Sequence, residues 1–245
     1  MAVKQFYGKG LPNVDPVLLK GKLIVLEGSD GSGRSTQLAM LRDWLQRLGY
    51  ATEEVGLRRS VLIAKEIEEA KQGNTMGPTT LALFYATDFA DQLENKIIPA
   101  LHAGFIVLAD RYIYTLMARA LVRGASLEWL KELYSIALVP DAVFYLQVPP
   151  EVLAERNFRK TGALDYWESG MDIRRMGDMY ECFIGYQHQL QEQFRVLQGI
   201  YGFEVIRGNR LPRTIANELR AKVEKVLQAE PVQVAQPMPE RVAVA

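Results

Sequence analysis

The sequence predicts one doubly wound α/β domain, because short apolar runs alternate with helical repeats along its 245 residues. The apolar runs are uninterrupted, which indicates strands that are buried on both faces of a parallel sheet. The repeats between them place apolar residues at the spacing of an amphipathic helix. The first run also leads through a glycine-rich turn into the first repeat, in the strand–turn–helix order of such folds.

Five apolar runs are the candidate strands. Four of them are rich in β-branched or aromatic residues and lie at 22–27, 105–110, 142–148 and 203–208. A fifth run, at 50–55, is weaker but stands between the first helical repeat and the second strong run.

Three helical repeats are the clearest. The first consists of Leu38, Leu41, Leu45 and Leu48. Gly49 follows as a stop signal. The other two repeats occupy 127–137 and 215–226, and Cys182 lies in a further helical segment where it is expected to pack in the core.

The two ends of the chain differ from its middle. Residues 1–20 contain glycines and prolines without a period, and we interpret them as an N-terminal arm. Residues 21–228 form the single predicted domain. Residues 229–245 contain three prolines and no helical stripe, so we expect a flexible C-terminal tail.

The composition excludes several classes of partner. The 29 lysines and arginines balance the 29 aspartates and glutamates, so we expect no binding to a nucleic acid polymer and no membrane association. The single cysteine excludes an intrachain disulfide, and the N-terminus lacks the apolar core of a signal peptide. We therefore expect a cytoplasmic protein whose affinity for phosphate depends on a local arrangement.

The stretch EGSDGSGRST at 27–36 is that arrangement. Its Gly28, Gly33 and Ser35 match the phosphate-loop pattern G-x-x-x-x-G-K-[ST], while Arg34 stands in place of the lysine. The glycines let backbone N–H groups turn towards a phosphate, and the following helix adds its positive end. The candidate donor-binding residues are Gly28, Ser29, Asp30, Gly31, Ser32, Gly33, Arg34, Ser35 and Thr36. Ser35 would bind Mg²⁺; the alternative is a turn that binds nothing.

Arg34 keeps the positive charge of the missing lysine, so anion binding should survive. Its guanidinium is longer and planar, whereas phosphoryl transfer needs a cation that is placed within fractions of an ångström. The sequence therefore supports nucleotide binding by Arg34 more firmly than catalysis.

Several motifs together resemble the thymidylate kinase family of nucleoside monophosphate kinases, over about residues 22–228. They are E-G-x-D-G-x-G at 27–33, P-A-L-x-x-G-x-x-V-x-x-D-R-Y at 99–112, R-G at 123–124, P-D-x-x-x-Y-L-x-V at 140–148, and the helix at 151–156. The resemblance implies a three-layer P-loop NTPase fold with a five-stranded parallel sheet flanked by helices. It also implies ATP with Mg²⁺ as donor, a nucleoside monophosphate acceptor with thymidylate as the default, and a homodimer.

The resemblance also implies roles for single residues. Asp30 would face the acceptor sugar, Asp110 would organise Mg²⁺, and Arg111 would hold the acceptor phosphate, although Asp110 and Arg111 could instead form only an ion pair. Segment 156–170 matches a mobile lid, whose cations are Arg156, Arg159 and Lys160. Each of these cations either touches the phosphates or stays solvated. Arg34, Asp110, Arg111 and Arg159 are the catalytic candidates. No general base is needed, because an acceptor phosphate oxygen is already nucleophilic.

The acceptor side departs from the family pattern. The loop EVGLRRS at 54–60 lacks the usual R-E-P-G-G, so Arg58 and Arg59 either clamp the acceptor phosphate or remain solvated. Phe84 or Tyr85 would stack on the base, or pack in the core. Phe89, or Asp88 if Phe84 stacks, occupies the place of a base-reading arginine. Arg119 and Ala120 replace an aromatic residue and a glutamine, which makes Arg119 a candidate reader of another base or a second phosphate.

The assisting arginine of the family is absent from both of its usual places, 29–32 and Leu164-Asp165-Tyr166. We therefore hypothesise that Arg34 combines the roles of the lysine and the assisting arginine. Two alternatives to a thymidylate kinase stay open from these departures: a kinase for a different phosphorylated acceptor, and a nucleotide-binding protein with little turnover that acts through a partner.

Overall fold

The computed structural model describes residues 3–72, 76–173 and 177–228. Five parallel strands form one sheet in the order β2-β3-β1-β4-β5. The strands are β1 Lys22–Glu27, β2 Thr52–Gly56, β3 Ile106–Asp110, β4 Ala142–Gln147 and β5 Glu204–Arg207. All five predicted strands are confirmed, and so is the α/β fold of P-loop NTPases with helices on both faces of the sheet.

Helices cover the connections between the strands. Those of the described ranges are α1 Arg34–Arg47, α2 Ala64–Gln72, α3 Pro78–Gln92, α4 Ile98–His102, α5 Ile113–Val122, α6 Leu127–Leu133, α7 Pro150–Thr161, α8 Met179–Tyr201 and α9 Pro212–Gln228. One turn of π-helix, Leu93–Ile97, joins α3 to α4. None of these helices is long and apolar enough to cross a bilayer.

Successive residues of β1 divide the core into two layers. Leu23 and Val25 pack with α3, α5 and α8 on one face of the sheet. Ile24 and Leu26 pack with α1 and α9 on the other face. Both faces of β1 are therefore buried, which explains why its sequence is an uninterrupted apolar run.

The second helical repeat is shorter than predicted. The repeat at 127–137 predicts a helix up to Ala137, but α6 ends at Leu133. The N-terminal arm uses the backbone beyond that point, since Gly10 N donates to Ser135 O at 3.3 Å and Tyr7 N to Ala137 O at 2.9 Å. These carbonyl groups bind the arm, and the chain turns towards β4.

The predicted N-terminal arm is packed along its described part. Phe6 forms an antiparallel bridge with Leu138, and Val139 N donates to Gln5 O at 2.7 Å. The hydroxyls of Tyr7 and Tyr114 lie 2.5 Å apart, which ties the arm to α5. The predicted tail at 229–245 lies outside the described residues.

Candidate active site

The glycine-rich turn between β1 and α1 occupies the carboxyl edge of the sheet, where ligands bind in open α/β folds. Gly28 has a φ of 149°, and an added Cβ would lie 2.7 Å from Ser32 Oγ and 3.0 Å from Leu146 O. Gly33 has a φ of 97°, in the region that favours glycine. Gly28 is therefore required for both space and backbone conformation, and Gly33 for backbone conformation alone.

The N-terminus of α1 is open to an anion. Its capping position is Gly33, which offers no side chain to the N–H groups of the first turn. Ser35 and Thr36 are exposed in that turn. Unclaimed N–H groups and the positive helix end together fit the phosphates of a nucleotide.

The guanidinium of Arg34 lies beneath this turn. Its Nε donates to Asp110 Oδ1 at 2.7 Å, and its Nη1 donates to the carbonyls of Gly28 and, at 2.6 Å, Ser29. The side chain is only 8% exposed. Arg34 therefore links the phosphate loop to the end of β3, and its catalytic role stays a prediction.

Asp30 is the centre of a cluster of arginines. Its Oδ1 accepts from Arg111 Nη2 at 2.7 Å and from Arg34 Nη2 at 3.3 Å, and the charge of Arg119 also acts on it. Burial would raise the pKa of Asp30, but the charges of Arg111 and Arg34 outweigh burial and lower it. Arg34 is also paired with Asp110, and Arg119 with Glu168, so the three arginines are balanced by three carboxylates that fix the positions of their guanidinium groups.

Arg111 follows β3 with a φ of 71°, which is uncommon for a residue with a side chain. Its backbone N–H donates to Leu26 O at 2.9 Å, so the end of β3 is held against β1. The Arg111–Asp30 contact replaces the simple Asp110–Arg111 ion pair that was the alternative.

Asp110 and Ser35 are the candidate metal ligands. Asp110 is already bound by Arg34, and its Oδ2 lies 3.8 Å from Arg59 Nη2. No group of three metal-ligating side chains occurs in the described ranges. Ser35 and Asp110 offer oxygen atoms, the ligands that Mg²⁺ prefers. Two protein ligands fit an ion that takes its other ligands from nucleotide phosphates and water.

Glu27 is a site residue that the motif contained without a role. It is fully buried, and its Oε1 accepts from the backbone N–H of Tyr112 at 2.9 Å and of Thr115 at 3.3 Å. Burial raises the pKa of Glu27 to about 7. The sequence signal for this role was a charged residue at the end of an apolar run. The carboxylate caps the N-terminus of α5 and so fixes the chain beside Arg111.

Asp88 holds the loop at 54–60, here called the acceptor loop after its predicted role. Its carboxylate accepts from the N–H groups of Arg58 at 2.8 Å and Ser60 at 3.0 Å, and from Gln92 Nε2 at 3.0 Å. Burial raises the pKa of Asp88. From the sequence, Asp88 was expected only to stand in the place of a missing arginine; the signal for its role was a carboxylate on the buried face of α3.

The two arginines of the acceptor loop have separate partners. Arg58 Nη1 donates to Glu68 Oε2 at 2.5 Å, and Arg59 lies within 3.8 Å of both Glu54 and Asp110. Arg58 and Asp30 line the same cleft beside the phosphate loop. Its phosphate-binding role stays a prediction.

A cleft of about 440 Å³ opens beside the phosphate loop, a size that suits a nucleotide. Asp30, Arg58 and Arg119 line it, together with Trp167 and Glu168. A narrower cavity continues from the cleft between α3 and α5, since both share Arg119, Trp167 and Glu168.

The structure separates the aromatic candidates of α3. Tyr85 lines the narrow cavity, whereas Phe84 is not among its lining residues and packs partly buried against the core. Phe89 is buried edge-on against Tyr112, with ring centroids 5.1 Å apart. Tyr85 therefore lines the cavity and its role in base stacking stays a prediction, whereas Phe89 is buried in the core.

Residues 162–173, here called the return loop, are anchored to α5. Glu168 forms an ion pair with Arg119, and Asp172 forms one with Arg123 at 2.8 Å. Trp167 Nε1 donates to Lys71 O at 3.2 Å. These contacts close one side of the cleft. They were not predictable from the sequence, because the paired residues lie 49 positions apart.

The predicted lid cations occupy different surroundings. Arg156 donates to the carbonyls of Gly31 and Gly208, both at 3.2 Å, so it touches the phosphate loop. Arg159 is 78% exposed and pairs with Glu155 on the same helix, α7. None of its contacts within the described residues is with another candidate site residue. Lys160 is exposed as well. The structure thus brings Arg156 to the site but does not bring Arg159 there.

Known proteins resemble the chain along most of its length. Residues 26–197 match the family described as thymidylate kinase. A protein of Saccharolobus solfataricus named probable thymidylate kinase 2 is 38% identical over 205 residues, which cover 82% of this chain and 95% of that protein. A probable thymidylate kinase of Thermococcus kodakarensis is 30% identical over 84% of this chain and 99% of its own length. The glycine-rich loop, the arginines around Asp30 and these matches agree: the chain belongs to the thymidylate kinase family.

Proposed function

We propose that the protein transfers the γ-phosphoryl group of ATP to thymidylate and so forms dTDP and ADP. The observation that carries the proposal is the position of Asp30. Its carboxylate joins the phosphate loop to Arg111, with Arg119 acting on it from α5. The proposed donor site at the phosphate loop and the proposed acceptor site at Arg111 therefore meet at Asp30.

The donor half of the proposal rests on α1. The backbone N–H groups of its first turn would bind the ATP phosphates, with Ser35 on the metal. ATP brings Mg²⁺, which would neutralise charge on the transferred group; Asp110 would hold its water ligands. Arg34 holds the loop in the shape that binds phosphate and remains the candidate cation for the donor.

The acceptor half rests on the cleft. Arg111 and Arg58 would hold the acceptor phosphate in line with the donor, and Asp30 would keep Arg111 in position. Positioning and charge are the main requirements of phosphoryl transfer, so these residues suffice without a general base.

The family membership further supports a homodimer in the cytoplasm as part of the proposal. Light scattering on the purified chain tests the dimer, and fractionation of the native cell tests the compartment. A monomer, or a signal outside the cytoplasmic fraction, would remove that part alone.

An ADP-release assay with ATP, Mg²⁺ and a panel of nucleoside monophosphates tests the function. We expect turnover with dTMP. Turnover with another acceptor and none with dTMP would replace the substrate. Tight ATP binding without turnover of any acceptor would instead identify a binding protein that acts through a partner.

A further inference from the structure

The first two carbonyl groups of the phosphate loop are bound from inside the loop. Arg34 Nη1 donates to Gly28 O and, at 2.6 Å, to Ser29 O. Arg34 is the first residue of α1, so the helix that follows the loop also holds the beginning of the loop. The carbonyl groups at 30 and 31 take their hydrogen bonds from a different helix.

Two neighbouring residues of α7 bind these carbonyl groups. Asn157 Nδ2 donates to Asp30 O at 3.0 Å. Arg156 Nη1 donates to Gly31 O at 3.2 Å. The amide of Asn157 also lies close to Gly31, where an added Cβ would be only 3.1 Å from Asn157 Nδ2. The loop therefore packs against α7, and its carbonyl groups from 28 to 31 all accept a side-chain hydrogen bond.

A bound carbonyl group fixes the direction of the N–H group that follows it. The peptide unit is planar and trans, so its N–H points away from its C=O. The bound carbonyls therefore set the directions of the N–H groups of Ser29, Asp30 and Gly31. Within the described residues, these three N–H groups donate to no protein atom. Successive N–H groups that are fixed and unclaimed form a binding site for an anion.

We propose that Asn157 is a positioning residue of the donor site, an inference that rests on the ATP site of the proposed function. Gly31 has a φ of 83° and, as a glycine, has many other backbone angles open to it. By binding Asp30 O, the amide of Asn157 selects one orientation of the peptide unit between Asp30 and Gly31. The N–H of Gly31 is thus in place before ATP binds, and a donor that is ordered in advance adds affinity because less freedom is lost on binding.

Asn157 is also the residue of α7 in which this role can be tested by itself. Arg156 donates to Gly208 O as well as to the loop, so its loss would disturb the start of α9 too. Asn157 carries no charge, and among the described residues its amide donates only to the loop. The side chain of Asp30 is held independently by Arg111 at 2.7 Å, so the acceptor side should not respond to a change at Asn157.

The test uses the full chain with Asn157→Ala and Asn157→Leu, which both remove the amide, while leucine keeps a branched side chain over Gly31. Calorimetry should show ATP binding to each variant roughly fivefold more weakly, which corresponds to one neutral hydrogen bond. The KM for ATP should rise by a similar factor, and the KM for dTMP should stay. Alanine and leucine favour a helix more than asparagine does, so α7 itself should not unfold.

Asn95→Ala is the matched control. Its amide also donates a single hydrogen bond, at 2.9 Å to Asp91 Oδ1, but on an exposed surface away from the loop. ATP affinity should not change in this variant. An equal loss of ATP affinity in the control would overturn the inference, and so would wild-type ATP affinity in either variant of Asn157.

Calorimetry with ATP alone needs no acceptor, which separates this inference from the proposed function. If the variants of Asn157 bind ATP more weakly than wild type but no acceptor turns over, the function falls and the positioning role stands. If dTMP turns over and both variants keep the wild-type KM for ATP, the function stands and the positioning role falls. A wild-type chain that binds no ATP would overturn both.

Discussion

Arg34 Nε donates to Asp110 Oδ1 at 2.7 Å, so the first residue of α1 is tied to the last residue of β3. Gly56, the last residue of β2, lies against the same aspartate, since an added Cβ there would lie 2.8 Å from Asp110 O. Three strand ends and the phosphate loop thus share one small region, and changes at Arg34 should affect both the loop and the site.

Arg34→Lys keeps the charge but cannot span Asp110 and the loop carbonyls together. We expect a lower kcat, by roughly 10²-fold as for a misplaced catalytic group. Steady-state kinetics with saturating ATP measures it. A lysine variant that turns over faster than wild type would refute the hypothesis that Arg34 combines two roles. Arg42→Lys, on the same helix but 39% exposed, is the control and should leave kcat unchanged.

Gly33 and Gly49 provide a matched pair at the two ends of α1. Both have a positive φ, 97° and 89°, and an added Cβ at either meets nothing within 4 Å. Each alanine variant should lose about 1 kcal/mol of unfolding free energy from backbone strain. Only Gly33→Ala should weaken ATP binding severalfold in calorimetry, since its methyl group would enter the phosphate space. Equal ATP affinities in the two variants would show that the ATP phosphates do not bind beside Gly33.

Asp88→Ala should loosen the acceptor loop. The N–H groups of Arg58 and Ser60 lose their acceptor, at an expected cost of about 2 kcal/mol of unfolding free energy. The KM for the acceptor should rise more than the KM for ATP. Asp91→Ala is the control, because Asp91 lies on the same helix and, among the described residues, its carboxylate accepts a side-chain hydrogen bond only from Asn95. If both KM values rise together, the loop is not the acceptor loop.

Glu27 should make stability depend on pH. Its folded pKa of about 7 exceeds the ordinary value of 4.5, so the folded chain binds the proton more tightly than the unfolded one. Between these two values stability therefore falls as pH rises, by at most about 1.4 kcal/mol per pH unit. Urea denaturation of wild type and Glu27→Gln from pH 5 to about 8 checks this. The unfolding free energy of the variant should not fall over this pH range. Parallel curves for the two proteins would exclude Glu27 as the cause of the pH dependence.

The strands and the phosphate loop were predictable because their signals are local. Apolar runs, the glycines around Arg34 and the stop at Gly49 each act within a few residues. The end of α6 was not predictable, because the arm, far away in sequence, binds the carbonyls of Ser135 and Ala137 just beyond it. The same holds for Arg119 and Glu168, whose pairing depends on how the return loop packs onto α5.

The acceptor side was the least predictable part. Sequence comparison could only show which polar residues were missing near Phe89. Tyr134 follows α6, away in sequence from every expected base contact, and its packing against Phe89 of α3 brings it to the cavity that Tyr85 also lines.

The contact between Tyr7 and Tyr114 joins residues that are 107 positions apart. Its partners on α5 and before β4 follow β1, β2 and β3 in the sequence, so the arm cannot dock before those strands have been synthesised. Contacts between residues so far apart in sequence form slowly. We therefore expect the arm to be among the last segments to dock, onto the helix that follows Arg111.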